Sequence, residues 1–378
     1  MRIISISAKN SHSNLIINKI NFDSFTLLVG ASGVGKTQIL SVINNAKRIS
    51  KGEGFSGFNW HLDFDIDGQQ YSWSGEFESL KDFDDFSRFL YYVSDDDKPK
   101  PKLVSENLVV NGISLARRDK DNIFFKDKIT VKLSPYESIL SLLKAEPEIA
   151  TVNSGFDHIS TIDLEEGHYA IFGRDGDIDP DKDLTFDQIK ELKNSLRAKL
   201  FLCQEKFPEH FSSIIETYKD IFPYIEGVKV QRYEDHTAPR AYASTFVIKV
   251  KERGIDSWIS HVSMSSGMLK TLLQLSYLYL SPKGTVFLID EFENGFGVNC
   301  INDITDILLT TGSGVQFIIT SHHPYIINNI PIDKWKIISR KAGIISSFKS
   351  EDFKLNESNH EAFTKLINLD IYSEGADR

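Results

Sequence analysis

Gly30-Ala31-Ser32-Gly33-Val34-Gly35-Lys36-Thr37 is the stretch on which the reading of this chain turns. It fits G-x-x-x-x-G-K-[ST] at every fixed position. Three glycines let such a loop wrap with its N–H groups turned inward, the lysine bridges terminal phosphates, and the adjoining hydroxyl ligates Mg²⁺. Gly30, Ser32, Gly33, Val34, Gly35, Lys36, Thr37 and Gln38 are therefore the candidate phosphate-binding residues, with Thr37 also a metal ligand. The flanks agree. Phe25 to Val29 is a short apolar run with the look of a buried strand, and from Lys36 to Ile49 the residues Ile39, Leu40, Val42, Ile43 and Ala46 recur at helical spacing. A strand, a glycine-rich loop and a helix follow in that order, and the helix N-terminus adds a positive dipole end behind the loop.

Far along the chain, Thr285 to Ile289 is another apolar strand, and it ends in Asp290-Glu291. Paired carboxylates at such an edge suit phosphate chemistry: one holds the metal shell while the other orients and deprotonates water. Asp290 is assigned to the metal and Glu291 to the water. Gln316 to Thr320 is a further buried strand and ends in Ser321-His322-His323-Pro324, where His322 is the candidate to sense or polarise a terminal phosphate. Upstream, Ser263-Met264-Ser265-Ser266-Gly267 leads into a helix carrying Met268, Leu269, Leu272, Leu273, Leu275 and Leu278, an arrangement that reads first as an ordinary N-cap.

The remainder of the chain bounds the function. Its 378 residues are 41% hydrophobic and 25% charged, a globular composition with length for two or three lobes. No apolar run is long enough to span a bilayer, and Met1 to Asn10 lacks the unbroken apolar core of a secretory signal. Cys203 and Cys300 are too few for a disulfide scaffold and lack zinc spacing, so a cytoplasmic location is expected. With 43 Lys+Arg against 53 Asp+Glu the net charge is -10, which disfavours non-specific nucleic-acid binding by the whole surface and leaves a local basic groove open. Between Phe55 and Lys132 the pattern is antiparallel, with Trp60, Leu62, Phe64 and Ile66 alternating before an Asp67-Gly68 hairpin turn. Phe186 to Phe222 reads as two helices broken at Pro208.

In combination, GASGVGKT, SMSSGMLKTLLQL, TVFLIDEFENGFG and FIITSHHPYIINN resemble the ATP-binding-cassette type of P-loop ATPase, in the soluble group that includes OLD-family proteins and RecF/SMC-like heads. The match covers roughly the first 50 residues and Val262 to about Ser347, with weaker similarity from Ser105 to Ser134. The resemblance implies an α/β P-loop NTPase with an antiparallel β subdomain and a helical insertion. Its expected parts are a core from 1–54 and 262–348, a β-rich subdomain from 55–133, a helical or mixed lid from 134–261 and a tail from 349–378. It implies ATP and Mg²⁺ as cofactors and Asp290-Glu291 as Walker B. It makes His322 a switch histidine and puts Asn294-Gly295 in the D-loop region. Ser265 and Gly267 would form a signature loop that closes on ATP held by a second copy, giving a homodimer or higher oligomer. Where the usual signature has a second Gly and a Gln, this chain has Ser266 and Met268. No glutamine sits where a Q-loop is expected; the segment from Phe89 to Ser94 is its better location.

The expected role is a nucleotide-gated dimeric sensor or clamp in anti-phage defence or DNA maintenance, with a separate effector such as a nuclease and no membrane partner. Too few residues follow Pro324 for a nuclease domain in the same chain. Alternatives are a non-catalytic ATP-binding scaffold and a RecF-like DNA-repair loader. A GTPase would need an N/T-K-x-D guanine reader, and Asn18-Lys19-Ile20-Asn21 lacks the Asp. The loop from Asp175 to Asp183 is acidic but has Pro180 and Phe186 where a Ca²⁺ loop needs Gly and Glu. Lys229, Arg232, Arg240, Lys249, Lys251 and Arg253 form a strand-rich basic stretch with Tyr233 and Tyr242 interleaved, diluted by Glu226, Glu234, Asp235 and Glu252.

Overall fold

Two kinds of apolar pattern, continuous and alternating, mark two sectors of the larger sheet. The computed structural model describes residues 1–80, 100–161, 182–233, 245–294, 298–310, 314–353, 355 and 359–369. Strands β3 (Phe25–Val29), β14 (Val286–Ile289) and β15 (Gln316–Thr320) are buried at every position, as strands covered on both faces must be. They are parallel neighbours, with β10 (Ile159–Thr161) beyond β14 and β16 (Trp335–Lys341) beyond β3. By contrast β4 (Phe58–Ile66) and β5 (Gln69–Phe77) alternate buried with partly exposed residues, the signature of a sheet covered on one face. The Asp67-Gly68 turn between them has φ of 51° and 82°, the left-handed pair that a two-residue hairpin of this kind requires.

Among the described residues these strands belong to one 14-stranded sheet. From the parallel sector the order continues through β17 (Ile344–Lys349), β2 (Leu15–Asn21) and β1 (Arg2–Asn10). It then crosses the antiparallel meander β4, β5, β6 (Leu103–Val110), β7 (Ile113–Asp119), β8 (Asn122–Phe125) and β9 (Lys128–Ile129). Gln316 stitches the two sectors. Its amide accepts from Ile3 N–H at 2.8 Å and donates to the Ile3 and Asp23 carbonyls at 2.8 and 2.9 Å.

Helix α1 (Lys36–Ser50) buries Ile39, Leu40, Val42, Ile43, Ala46 and Ile49 in the core of this unit. Helices α2 (Ile139–Leu142) and α3 (Pro147–Asp157) cover the meander, where Phe156 packs edge-on to Trp73 and Phe64 at 5.1 and 5.6 Å. Glu106, 2% exposed on β6, anchors the entry to α2. Its carboxylate accepts from Trp73 Nε1 at 2.9 Å, Ser138 Oγ at 2.5 Å and Ile139 N–H at 2.8 Å. Burial pushes this carboxyl above its ordinary range, outweighing those three hydrogen bonds and the Arg118 charge, which act the other way.

The chain separates into two compact units, one of Met1–Thr161, Gly284–Phe292 and Gly312–Arg378, the other of Ile162–Lys283 and Glu293–Thr311. The boundaries expected at 54, 133 and 262 differ from this division. Segment 55–133 continues the same sheet as the first 54 residues because β4 pairs with β1 from Phe58 to Asp65. The return to the first unit comes at 284 rather than 262.

In the second unit the stretch from Phe186 to Phe222 forms three helices, α4 (Phe186–Glu191), α5 (Leu196–Lys206) and α6 (Pro208–Ile221). The break at Pro208 is present. A second break arises because Leu192 is extended and Ser195 caps a new helix by accepting from Ala198 N–H. Strands β11 (Ile225–Arg232), β12 (Phe246–Glu252) and β13 (Ile259–Ser260) make a separate antiparallel sheet, followed by helices α7 (Ser266–Leu280) and α8 (Val298–Thr310). Helices α9 (Pro324–Asn329) and α10 (Asn359–Ile367) return to the first unit. Among the described residues no helix is long and apolar enough to cross a membrane.

Candidate functional site

Register alone brings the first-unit candidates to one edge. Leu28 of β3 lies level with Thr320 of β15, and Ile319 of β15 lies level with Ile289 of β14. One residue past these pairs, the three parallel strands end together. Gly30, Asp290-Glu291 and Ser321-His322 therefore leave the sheet at neighbouring C-terminal ends, where open α/β sheets place their ligand sites.

The glycine loop follows β3 and ends at Gly35, the N-cap of α1. Gly33 and Gly35 have φ of 85° and 100°, values that favour glycine. Space constrains the loop as well. A Cβ on Gly35 would lie 2.2 Å from the Ile345 side chain, and one on Gly30 would lie 2.5 Å from the Ile338 carbonyl oxygen. The loop is thus seated on β16 and β17. A Cβ on Gly33 would meet nothing within 4 Å, so the loop's crest faces open space. Val34 is fully buried and pins the loop from below, whereas Ser32, Thr37 and Gln38 are exposed. Lys36 Nζ donates to the Gly30 and Ala31 carbonyls at 2.8 and 3.0 Å, which holds a cation across the loop's mouth.

At the end of β14, Asp290 and Glu291 are both exposed. The residue that organises them is not marked by any motif. Thr320, buried at the end of β15, donates from Oγ1 to Asp290 Oδ1 at 2.6 Å and accepts at the same oxygen from Glu291 N–H at 2.8 Å. The Thr320 carbonyl accepts in addition from Phe292 N–H at 3.0 Å. Glu291 itself sits at φ 46°, a left-handed conformation uncommon for a residue with a side chain. Buried Phe292 and the Thr320 bonds hold it there. A threonine closing a buried strand is unremarkable in sequence, so only its register could have marked it.

His322 is exposed. His323 is engaged as the cap of α9, its Nδ1 accepting from Tyr325 N–H at 3.3 Å. In the second unit, Ser265 caps α7 by accepting from Met268 N–H at 3.3 Å, with Gly267 in the first turn. Lys270 of the same helix donates to the Asn294 carbonyl at 3.2 Å. Asp175, Asp177, Asp179 and Asp181, Arg240, Tyr242, Gly295 and the segment 89–94 lie outside the described residues.

These residues fit a nucleoside triphosphate with a divalent cation. A glycine loop with an open crest, a lysine at its mouth and an exposed threonine hydroxyl answer the phosphates and one metal position. Asp290 has one oxygen held by Thr320 and its other without a hydrogen bond among the described residues, which suits a metal-facing carboxylate.

The fold and this edge define a P-loop ATPase with the motif order of the ABC type. Residues 25–328 match the family described as "AAA domain, putative AbiEii toxin, Type IV TA system", and the chain belongs to that family. No curated protein matches. Among solved structures it is similar to an SMC head bound to the C-winged helix domain of ScpA, at 16% identity over 93% of this chain and 99% of that one, TM-score 0.48. It is similar also to the SMC head domain from Thermotoga maritima, at 11% identity over 92% and 99%, TM-score 0.45. A third is an Smc head domain with an extended coiled coil bound to the C-terminal domain of ScpA from Pyrococcus furiosus, at 13% identity over 93% and 97%, TM-score 0.45.

Proposed function

We propose that this protein binds and hydrolyses ATP with Mg²⁺ and uses the cycle to open and close a pair of heads, as a sensor or clamp in anti-phage defence or DNA maintenance that signals to a separate effector. The observation that carries the chemical part is the convergence of Gly30–Thr37, Asp290-Glu291 and His322 at adjoining ends of β3, β14 and β15. In this reading the loop amides and Lys36 compensate phosphate charge, and Thr37 and Asp290 hold the metal. Glu291 takes a proton from the attacking water, and His322 contacts the terminal phosphate. Bound Mg²⁺ would supply charge neutralisation at the transferred phosphoryl group. Ser265 and Gly267 would complete the site of a partner copy, since a serine-capped helix start is a good anion contact.

Steady-state ATP hydrolysis with isothermal titration of ATP tests the reading. Lys36→Ala should abolish nucleotide binding. Glu291→Gln should retain binding and lose at least about a hundredfold in turnover, the scale for removing a general base. Undiminished hydrolysis by Glu291→Gln would move the base elsewhere, and a wild-type protein that binds ATP without turnover would be a scaffold.

A further inference from the structure

The three-stranded sheet of the second unit has an outer face that the nucleotide site does not use. Strand alternation sets its composition. On β11, Lys229 and Gln231 share that face with Gly227, while Val228 and Val230 turn the other way; on β12, Lys249 and Lys251 share it, while Ile248 and Val250 are buried. Register sets Lys229 directly opposite Lys249, Gly227 opposite Lys251, and Ser260 of β13 beside Lys249. Trp258, just before β13, is 37% exposed and lies against Gly227, where a Cβ would come within 3.3 Å of the indole. The Lys229 ammonium sits 4.3 Å from the Trp258 ring centroid.

None of the three lysines has an ion pair or a hydrogen bond among the described residues. Glu252, next to Lys251 in sequence, occupies a position of the opposite parity, Glu226 sits at the irregularity between Ile225 and Gly227, and Asp256 lies in the loop before Trp258. Two like charges directly opposite each other on adjacent strands destabilise a sheet. Here that cost stands on a chain whose overall charge is -10. A polyanion would remove it. An indole on the same face adds a flat surface on which a base can stack, a contact that carboxylate side chains have no group to make. Bases in a duplex are already stacked on one another, whereas those of a single strand are available to the ring.

We propose that this face binds single-stranded nucleic acid, with Lys229, Lys249 and Lys251 against phosphates and a base on Trp258. The inference stands apart from the ATPase reading, because the binding is measured without nucleotide and on a surface outside the Walker residues. It has one mechanical corollary: β13 runs through His261–Ser263 straight into the Ser265 cap, so the platform and the signature loop are covalent neighbours.

The experiment is fluorescence anisotropy on the full chain with labelled oligo(dT) and oligo(U) of about twenty nucleotides, longer than the roughly 4–16 nucleotides that a single-strand-binding OB-fold covers. A duplex of equal length and an oligo-glutamate competitor complete the set. Single strands should bind more tightly than duplex. K229Q/K249Q/K251Q should lower the slope of log affinity against log salt by about 2, at roughly 0.7 per phosphate contact. Trp258→Ala should weaken binding about 5- to 150-fold, the range of one base stack. Lys128→Gln, an exposed lysine of the other sheet, should change nothing. Since Trp60, Trp73 and Trp335 are at most 1% exposed, iodide-quenchable fluorescence comes from Trp258, and the oligonucleotide should protect it. The proposal is overturned if oligonucleotides fail to bind, or if the lysine and tryptophan variants bind as wild type does. Equal affinity for duplex overturns it, as does equal competition by oligo-glutamate, which would make the partner an acidic protein.

Discussion

One hydroxyl, that of Thr320, fixes the backbone of Glu291 and one oxygen of Asp290 at the same time. Replacing it with valine keeps the shape of a strand residue and removes both bonds, so Glu291 would no longer be held at its left-handed φ. Thr320→Val should leave ATP affinity near wild type and lower turnover about ten- to a hundredfold, as misplacement of a reacting group by about an ångström does. Paired calorimetry and hydrolysis assays read the two quantities, and a parallel loss of binding would show that the hydroxyl supports the fold more than the carboxylates. The contrast with the loop explains what a sequence reveals at this scale. Gly33 and Gly35 are legible because positive φ and a neighbour such as Ile345 leave little alternative to glycine. Thr320 is illegible because its role comes from register with a strand thirty residues away.

Elements were legible where periodicity was strong. The alternation of Trp60, Leu62, Phe64 and Ile66 foretells β4 and its hairpin, and the spacing of Ile39, Leu40, Val42, Ile43 and Ala46 foretells α1. The third helix between 186 and 222 was missed because a serine cap at Ser195 interrupts a segment whose apolar residues carry on past it. Glu106 was missed for a different reason: a carboxylate on an alternating strand reads as surface. Glu106→Ala should cost about 3–5 kcal/mol in urea unfolding, because it strips partners from three buried donors. Glu106→Gln separates charge from shape. Burial holds the wild-type carboxyl above its ordinary value in the folded state, so the stability linked to its proton is complete below the unfolded value and is lost as pH rises through the raised folded one. Relative to Glu106→Gln, the wild type should therefore be progressively less stable at pH 8 than at pH 4, taking about 4.3 as the unfolded value. A constant difference between the two proteins across that range would mean that the three hydrogen bonds, not burial, govern the group.

For the whole molecule, the pairing of distant motifs into one parallel sector was foreseeable from their order, while the continuation of that sector into the meander was not. It depends on β16, β17, β2 and β1 meeting edge to edge and on the side chain of Gln316. Assembly between molecules is the remaining whole-molecule prediction. Ser265→Arg should leave ATP binding intact and lower hydrolysis by blocking closure, whereas Ser265→Ala, which loses only the cap at about 1 kcal/mol, should be milder. Mass photometry with and without ATP, on these variants and on Glu291→Gln, distinguishes the outcomes, and normal closure by Ser265→Arg would remove the cross-subunit site.

The position of β3 also shapes how this protein is made. Its two sheet partners, β15 and β16, end at Thr320 and Lys341, far downstream of Val29 in the chain. During translation at roughly 5–20 residues per second, the apolar strand Phe25–Val29 waits for tens of seconds with both hydrogen-bonding edges open. Vectorial folding from the N-terminus can complete the meander, whose strands are local, but the nucleotide cradle cannot acquire its floor until Lys341 has been made. Nascent chains arrested before Gln316 should consequently bind a holdase chaperone and expose 25–29 to protease, and chains released beyond Lys349 should not.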